Sequence, residues 1–243
     1  MDNWLALVIG NSRSHWAWFQ EHTLITAWDS PHLATTVNQH QLPSEVLTAQ
    51  LSTIDTNNIP IYMASVVSSQ TALWQRYQNI RQITLQDIPL SNLYPTLGVD
   101  RALAVWGAGE TYGYPCLVID GGTALTITGL DEKKSLVGGA ILPGIRTQLQ
   151  SLYKATAALP EITLPQSLPT RWANNTPGAI ASGVIYSVIS GVQSFIDDWQ
   201  ATYPHSAIII TGGDREFLAS YLRSQDQIAI DSNLIFQGIS LLI

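Results

Sequence analysis

The sequence predicts an α/β protein of two similar halves, each beginning with a strand, a turn of small residues and a second strand. The first hairpin is WLALVIGNSRSHWAWF, residues 4–19, and the second lies within PCLVIDGGTALTITGLD, residues 115–131. Apolar runs on both sides of a glycine-containing turn are typical of β-hairpins. We therefore expect two domains, residues 1–113 and 114–243. Each should have a mixed sheet flanked by helices, and the two should face each other across a ligand cleft.

The composition limits the classes of function. The chain has 243 residues, of which 46% are hydrophobic and 12% charged. The charged share is about half the usual one, so the chain can bury a sizeable core. A formal net charge of −7 argues against general nucleic-acid binding, which depends on cationic surface. It leaves a small anionic ligand open, because a local site can be positive on an acidic protein.

The cysteine and histidine content argues against two kinds of metal site. Cys116 is the single cysteine of the sequence, so neither an intrachain disulfide nor a thiolate cluster is expected. The five histidines show no ligand spacing. No apolar run approaches the length of a membrane span. We therefore expect a cytoplasmic protein without a membrane or nucleic-acid partner.

The remaining patterns of the first half alternate between strands and helices. After the first hairpin, the predicted elements are a strand at 23–28, helical segments within 30–60 broken at Pro43 and Pro60, a buried strand at 60–67, a helix at 70–79 capped by Ser68-Ser69, and a short strand at 83–90.

A candidate catalytic element follows, where Gly98-Val99 precede Asp100-Arg101 and a run of helix formers to about residue 109. An acidic residue in the first turn of a helix is favoured by the helix dipole, so Asp100 can be purely structural. The functional alternative is a general base held at the helix start. Arg101 beside it could bind a carboxylate or phosphate through two hydrogen bonds, or be a solvated charge. The residues alone leave these alternatives open.

The second hairpin offers a comparable pair of interpretations. Asp120, Gly121, Gly122 and Thr123 are ordinary turn residues. Glycine there also permits positive φ and close approach of a ligand to the backbone. The free N–H groups of the turn and the Thr123 hydroxyl could then hold phosphate oxygens, and Asp120 a cation or its water shell.

The rest of the second half is predicted from similar patterns. The expected elements are a strand at 135–143, a helix at 145–158, a proline-rich loop at 160–175, a helix at 177–199, a strand at 207–210, a TGGD turn, a helix at 216–222 and a last helix at 233–242. Pro177 fits the first position of its helix and Thr176 the N-cap. A ligand contact by Thr176 is compatible with capping, because helix N-termini attract anions.

Taken together, the order GNS, GVDR, DGGTAL, GGAILPG, NTPGAIASG and TGGD resembles the type III pantothenate kinases of the actin-like, sugar kinase-type ATPase superfamily. The resemblance spans essentially the whole chain. It implies two ribonuclease H-like domains and a homodimer. It also implies phosphorylation of the terminal hydroxyl of pantothenate by ATP with Mg²⁺, the first step of coenzyme A synthesis. A monovalent cation, K⁺ or NH₄⁺, is a further expected cofactor.

Carried over by position, the resemblance assigns a role to each motif. Asp100 resembles the general base, and Asp120 resembles the ligand of the monovalent cation. The substrate-binding residues would be Gly98, Val99, Asp100, Arg101 and Thr176, with Tyr94 as an additional candidate. The ATP-binding residues would be Val8, Ile9, Gly10, Asn11, Ser12, Arg13, Ser14, His15 and Thr123.

The first hairpin departs from the family pattern, which reads like DIGNT followed by a lysine. Here Val8 stands at the aspartate position, Ser12 at the threonine position and His15 at the lysine position. Valine cannot ligate Mg²⁺ or its water shell, whereas Arg13 or His15 could contact phosphates. Two main hypotheses follow: an active kinase with altered metal geometry, or a ligand-binding regulator like the accessory transcription factors related to the family. A superfamily kinase for another small hydroxylated substrate is disfavoured by the GVDR element.

Overall fold

The protein is described by a computed structural model covering residues 3–223 and 228–243, apart from the side chain of Gln50. The chain forms two compact units, Met1–Gly107 with Leu234–Ile243 and Ala108–Asn233. The predicted domains, 1–113 and 114–243, differ from these units by placing the C-terminal helix with the second half. The domain boundary therefore stays a prediction.

The first unit contains a five-stranded mixed sheet. Its strands are β1 (Asn3–Ile9), β2 (Ser14–Gln20), β3 (Thr23–Ser30), β4 (Ile61–Ser65) and β5 (Ile80–Gln82). The order is β3-β2-β1-β4-β5. β1, β2 and β3 are antiparallel, whereas β4 is parallel to both β1 and β5. The first hairpin, the third strand and the strand predicted at 60–67 are confirmed.

The residues of the first hairpin alternate between the two faces of this sheet. Leu5, Leu7 and Ile9 lie in one hydrophobic cluster with Trp16 and Trp18. Successive strand residues point to opposite faces, so Val8 and its cross-strand partner His15 lie on the other face. This alternation decides which side chains of the hairpin can meet a ligand near its turn.

Helix α2 (Val99–Tyr112) and the last helix of the chain, Leu234–Ser240, approach each other at two glycines. A Cβ on Gly107 would overlap the carbonyl oxygen of Leu234, and a Cβ on Gly238 would overlap that of Leu103. The two backbones are therefore in direct contact. This contact ties the C-terminal helix to the first unit.

The predicted helical segments within 30–60 are wrong. The described residues there include a short 3₁₀ helix, Ala49–Thr53, and otherwise turns and irregular structure. Leu33, Val37 and Val46 are nevertheless buried. The segment buries scattered apolar residues without the 3.6-residue period that a helix needs.

Two further predictions for the first unit need correction. Helix α1 (Ser68–Leu73) is shorter than the predicted helix, and its N-cap is Val67, without a side-chain cap from a serine. The strand predicted at 83–90 is absent, and a 3₁₀ helix lies at Leu85–Asp87 instead. Asp87 stabilises the start of this 3₁₀ helix, since its Oδ2 accepts hydrogen bonds from the backbone N–H and the hydroxyl of Thr84, both at 2.8 Å. These bonds form a capping box.

The second unit repeats the sheet topology of the first. Its strands are β6 (Cys116–Gly121), β7 (Ala124–Leu130), β8 (Leu136–Pro143), β9 (Ala207–Thr211) and β10 (Ile228–Ile230). The order is β10-β9-β6-β7-β8. β6, β7 and β8 are antiparallel, and β9 is parallel to β6 and β10. The prediction of two similar α/β halves is confirmed, whereas β10 was not predicted.

Three helices accompany this second sheet: α3 (Ile145–Ala155), α4 (Thr176–Thr202) and α5 (Arg215–Tyr221). Ile119 and Ile127 of the sheet share one hydrophobic cluster with Leu149 of α3, Ile185 of α4 and Leu218 of α5. The final helix, now α6 (Leu234–Ser240), is shorter than predicted. The irregular segment predicted at 160–175 is confirmed.

Helix α4 corrects the expectation that no apolar segment approaches the length of a membrane span. By length and composition alone it is long and apolar enough to cross a membrane. Half of its most apolar window is buried within the protein. One such helix is weak evidence for a membrane location, because a core helix of a soluble protein meets the same criteria.

The contact between α2 and α6 generates a testable expectation. Gly107→Ala places a methyl group against the Leu234 carbonyl, so it should destabilise the protein by about 1–3 kcal/mol, the usual cost of overpacking. Gly183→Ala in α4 is the matched control, because a Cβ there meets nothing within 4 Å. Alanine is a better helix former by about 1 kcal/mol, so the control should unfold at the same or a higher temperature. Equal thermal unfolding of the two variants would contradict the close contact.

Candidate active site

The turn of the first hairpin joins the end of β1 to the start of β2. The Gly10 N–H donates to the carbonyl oxygen of Arg13 at 3.1 Å. Asn11, Ser12 and Arg13 are exposed, whereas Ile9 and Ser14 on either side are buried. The turn therefore presents its three central residues to solvent.

The end of β3 and the residues after it hold this turn in place. Asp29 Oδ2 accepts a hydrogen bond from Arg13 Nη1 at 2.9 Å, and Asp29 Oδ1 lies 2.6 Å from Nδ1 of His15. His32 Nε2 lies 2.8 Å from the carbonyl oxygen of Gly10. Since carboxylate and carbonyl oxygens only accept, His15 carries its proton on Nδ1 and His32 on Nε2.

Asp29 remains a carboxylate under ordinary conditions. Partial burial acts to raise its pKa, but hydrogen bonds and charge from Arg13 and His15 outweigh that effect and lower the pKa. The sequence analysis missed Asp29 and His32 because they lie well outside the hairpin. Asp29 could have been found from the predicted third strand, because antiparallel pairing of that strand with β2 brings its end back to the turn.

The GVDR element forms the start of α2. A Cβ on Gly98 would overlap Oδ1 of Asp100, so glycine allows the carboxylate to lie against the backbone there. The same Oδ1 accepts a hydrogen bond from the Arg101 N–H at 2.8 Å. Burial raises the pKa of Asp100 above its ordinary value, although the Arg101 N–H and the Arg101 charge oppose this. Asp100 is thus a partly buried carboxyl group that binds a proton more readily than an exposed aspartate.

Tyr94 lies beside this element, as the sequence suggested. Arg101 Nη1 donates to the Tyr94 hydroxyl at 3.0 Å, and the Leu97 N–H donates to the Tyr94 carbonyl oxygen at 3.0 Å. The Tyr94 side chain is 40% exposed. The tyrosine therefore orients the Arg101 guanidinium and remains accessible at the surface.

Val66 connects the hairpin to the GVDR element. Its N–H donates to the Ile9 carbonyl oxygen at 3.1 Å, which extends the pairing of β1 with β4 by one residue. A Cβ built on Gly98 would lie 3.8 Å from Val66 Cγ1. The structure therefore brings the predicted phosphate-binding hairpin and the predicted catalytic element together, at the carboxyl ends of β1 and β4.

In the second unit, Asp120 is the second-to-last residue of β6 and Thr123 lies in the turn between β6 and β7. The Gly122 N–H donates to the Ala124 carbonyl oxygen at 3.1 Å, and Thr123 is exposed. The Thr123 carbonyl oxygen accepts a hydrogen bond from the Thr147 hydroxyl at 2.7 Å. These bonds fix the backbone of the turn and leave the threonine side chain at the surface.

The TGGD turn packs directly against Asp120. Gly212 has a φ of +85°, and a Cβ on it would overlap Oδ1 of Asp120. The Asp214 N–H donates to the Gly121 carbonyl oxygen at 2.9 Å. Neither Gly121 nor Gly122 has a positive φ, so the left-handed glycine of this site lies in the TGGD turn instead. Gly121 serves close approach, since a Cβ there would overlap Leu218 Cδ1, whereas a Cβ on Gly122 would make only ordinary contacts.

An ion pair between a buried aspartate and an exposed arginine at the same turn was not predicted. The Asp214 side chain is 4% exposed and accepts from Arg146 Nε of α3 at 2.9 Å. Asp214 also begins α5, where its carbonyl oxygen accepts from the Leu218 N–H at 3.0 Å. Arg146 thereby links α3 to the turn that contacts Asp120.

The described residues fit the expected cations unequally. They contain no group of three histidine, cysteine, aspartate or glutamate residues that could hold a metal ion. At the first hairpin Val8 offers no ligand, and both oxygens of Asp29 are bound to Arg13 and His15. The hairpin therefore does not fit a Mg²⁺ ion bound directly by the protein. Asp120 supplies one carboxylate close to Gly212 of the TGGD turn, and carboxylate oxygens are suitable ligands for hard cations.

Thr176 is exposed and is the first residue of α4, but it is not the helix cap. The N-cap is Asn175, whose Oδ1 accepts from the Gly178 N–H at 2.8 Å. The prediction that Thr176 caps the helix is therefore wrong by one residue. An Asn side chain reaches the N–H three residues later, which places Pro177 inside the first turn, where its missing N–H costs nothing. The Thr176 hydroxyl remains available for a ligand.

Comparison with known proteins decides the family. A sequence model of type III pantothenate kinase matches residues 4–198. A type III pantothenate kinase from Nostoc sp. is 44% identical over 261 residues, an alignment that covers 100% of this chain and 95% of the relative. The chain belongs to the type III pantothenate kinase family. The resemblance inferred from the motifs is confirmed.

Solved structures agree with this family on the fold. A Baf family transcriptional activator from Campylobacter jejuni has a TM-score of 0.67 at 23% identity, covering 98% of this chain and 96% of the other. The activator of the 2-hydroxyisocaproyl-CoA dehydratase from Clostridium difficile, with bound ADPNP, has a TM-score of 0.56 at 10% identity, with coverages of 98% and 93%. Both similarities concern the fold alone. The predicted class, two mixed sheets flanked by helices as in actin-like ATPases, is confirmed.

The position of the α4 cap gives a testable expectation for this family member. Asn175→Ala removes the hydrogen bond to the Gly178 N–H and should lower stability by about 1 kcal/mol, the usual value of an N-cap. Thr176→Ala is the matched control and should leave stability nearly unchanged. Urea unfolding of the two variants checks the difference. Greater destabilisation by Thr176→Ala than by Asn175→Ala would restore Thr176 as the cap.

Proposed function

We propose that this family member is an active pantothenate kinase, which transfers the γ-phosphoryl group of ATP to the terminal hydroxyl of pantothenate in the first step of coenzyme A synthesis. One observation carries the proposal beyond family membership. Asp100 lies in the GVDR element, partly buried at the start of α2, with a pKa raised by burial. A carboxylate of this kind is suited to accept a proton from a hydroxyl.

Asp100 would act as the general base, or orient the substrate hydroxyl, during in-line attack on the γ-phosphorus. Its Oδ1 is already fixed by the Arg101 N–H at 2.8 Å, so the carboxylate is held without further reorganisation. Gly98 and Val99 complete this loop. Phosphoryl transfer depends mainly on positioning and on charge stabilisation, and a rigid base contributes to the first of these.

The substrate-binding residues are proposed to include Arg101, Tyr94 and Thr176. Pantothenate carries a carboxylate, and a guanidinium binds carboxylates through paired hydrogen bonds. The hydrogen bond from Arg101 Nη1 to the Tyr94 hydroxyl, at 3.0 Å, would hold the guanidinium ready for that contact. The exposed hydroxyl of Thr176 would donate or accept a further hydrogen bond.

The ATP phosphates are proposed to meet the first hairpin, residues 8–15, and Thr123. Mg²⁺ would be bound by the ATP phosphates and by water, because Val8 cannot bind it. Asp120 would hold the monovalent cation, K⁺ or NH₄⁺. When bound, these ions supply positive charge that offsets the charge of the phosphates.

Two further features are proposed from the family resemblance alone. The protein would be a cytoplasmic enzyme and would act as a homodimer. Neither feature depends on the assignment of Asp100 or of the hairpin.

Direct assay tests the proposed reaction. Purified protein with ATP, Mg²⁺ and K⁺ should release ADP only when pantothenate is present, and mass spectrometry should detect 4′-phosphopantothenate. Replacing K⁺ with Na⁺ should slow the reaction if Asp120 holds the monovalent cation. If no pantothenate-dependent ADP forms over a wide range of ATP concentrations, the kinase hypothesis is rejected. The ligand-binding regulator would then be favoured, a role that is also compatible with valine at the aspartate position of the hairpin.

Asp100→Asn should lower kcat by roughly 10²–10⁴-fold, the usual contribution of a positioned base. In the wild type, kcat/KM should fall on acidification at a pH above the range of an ordinary aspartate, because the pKa of Asp100 is raised. Steady-state kinetics across pH would measure both effects.

Stability measurements separate this catalytic loss from unfolding. A raised folded-state pKa means that Asp100 binds its proton more tightly in the native state than in the unfolded state. The resulting stabilisation is present at low pH and is lost as pH rises through the folded-state pKa. Removing the charge at neutral pH should therefore leave the melting temperature equal or higher. A folded Asp100→Asn protein with nearly normal kcat would remove Asp100 from the chemistry.

A further inference from the structure

We propose that Asp29 is a positioning residue that holds Arg13, with His15 beside it, to bind the phosphates of ATP at the first hairpin. The identity of the ligand rests on the proposed function. In this assignment the guanidinium of Arg13 binds the phosphates directly. The phosphates are not bound through a metal ion held by a carboxylate at position 8.

The sheet register places Asp29 in one row with the position that lacks its carboxylate. Val8 of β1 is opposite His15 of β2, and His15 is opposite Asp29 of β3. Directly opposed residues share a face of the sheet, so the three side chains lie on the same face. Two strand spacings of about 4.8 Å separate β3 from β1, so Asp29 lies roughly 10 Å along this row from Val8. It therefore cannot occupy the position of a carboxylate at residue 8.

The contacts of Asp29 explain how it acts through its neighbours. Its two carboxylate oxygens are used separately, Oδ2 by Arg13 Nη1 at 2.9 Å and Oδ1 by His15 Nδ1 at 2.6 Å. A guanidinium has five N–H groups in a fixed fork, and this ion pair uses one of them. The Arg13 side chain is 57% exposed. The Arg13 side chain is therefore largely accessible to an anion.

The backbone of the turn is fixed by the same segment of the chain. His32 Nε2 donates to the Gly10 carbonyl oxygen at 2.8 Å, and the Gly10 N–H donates to the Arg13 carbonyl oxygen at 3.1 Å. His15 Nε2 lies 3.8 Å from the position of a Cβ built on Gly10. Residues 29–32 thus hold the backbone at Gly10 and the side chains of Arg13 and His15 in one arrangement. An arginine ordered in advance loses less freedom when it binds phosphate.

The exposure of this cluster argues against a purely stabilising role. The side chains of Arg13, His15 and Asp29 are 57%, 42% and 47% exposed. Ion pairs at exposed sites contribute little to folding stability. The contacts of Asp29 with two side chains beside the turn are thus better explained by positioning of those side chains than by a contribution to folding stability.

Binding measurements on the full-length protein test the proposal, with ATP and AMP as probes in calorimetry. Asp29→Asn should weaken ATP binding about tenfold, the order expected for loss of a hydrogen bond to a charged group. AMP binding should change much less, because AMP lacks the β- and γ-phosphates. Arg13→Ala should weaken ATP binding at least as much, and adding Asp29→Asn to Arg13→Ala should cause no further loss. This non-additivity would show that Asp29 acts through Arg13.

Asp87→Asn is the matched control. Asp87 pairs with Arg81 Nη2 at 3.1 Å in the same unit, near β5 at the opposite edge of the sheet from β3. It should not change ATP affinity. Unchanged ATP affinity in Asp29→Asn, equal losses for ATP and AMP, or additive losses in the double variant would each overturn the proposal.

The assay results also separate this proposal from the proposed function. A wild-type protein that binds ATP but does not phosphorylate pantothenate rejects the proposed function, and the variants still decide the role of Asp29. A wild-type protein that binds no ATP overturns both.

Discussion

The hydrogen bond from the Val66 N–H to the Ile9 carbonyl oxygen, at 3.1 Å, determines the arrangement of the candidate site in the first unit. It continues the parallel pairing of β1 with β4 to the last residue of β1. The chain leaves β1 into the hairpin turn and leaves β4 next to Gly98. Two segments about ninety residues apart in sequence therefore meet at one edge of the sheet. The arrangement follows the general rule that ligand sites of α/β folds lie at the carboxyl ends of parallel strands.

The repeated topology gives the second unit the same kind of edge. β6 is parallel to β9 as β1 is to β4. Asp120 lies near the end of β6, and Thr123 lies in the turn that follows. The two hairpins differ in how their turns are held. The first is fixed by side chains from the end of β3, whereas the second is fixed by backbone contact with the TGGD turn, where Gly212 leaves no space for a Cβ above Asp120. The same backbone frame thus supports an exposed charged turn in one unit and a tightly packed turn in the other.

Local sequence patterns predicted the features that depend on neighbouring residues. Both hairpins, the start of α2 at GVDR and the long helix α4 were found because alternation, glycine turns and helix periodicity act over a few residues. The irregular segment at 30–60 was wrongly predicted as helical. Its apolar residues are buried where they contact the core, and their spacing does not follow the period of a helix. Thr84 and Asp87 carried a capping box that was overlooked. Asp29, His32 and Arg146 could not be assigned from local pattern, since strand pairing and helix packing bring them to their sites from distant positions.

The substitution at position 8 is consistent with the burial of that position. Val8 is 2% exposed at the end of a strand whose neighbouring residues are also buried. A carboxylate there would have to be compensated by a metal ion or by hydrogen-bond donors, because an isolated buried charge is very costly. With valine, the end of β1 needs no such compensation. The charges that can meet phosphate lie instead on the exposed rim, where water solvates Arg13, His15 and Asp29 in the free protein. The polar side chains at this hairpin thus lie on the exposed turn, and the buried end of β1 carries no charge that a bound ion would have to compensate.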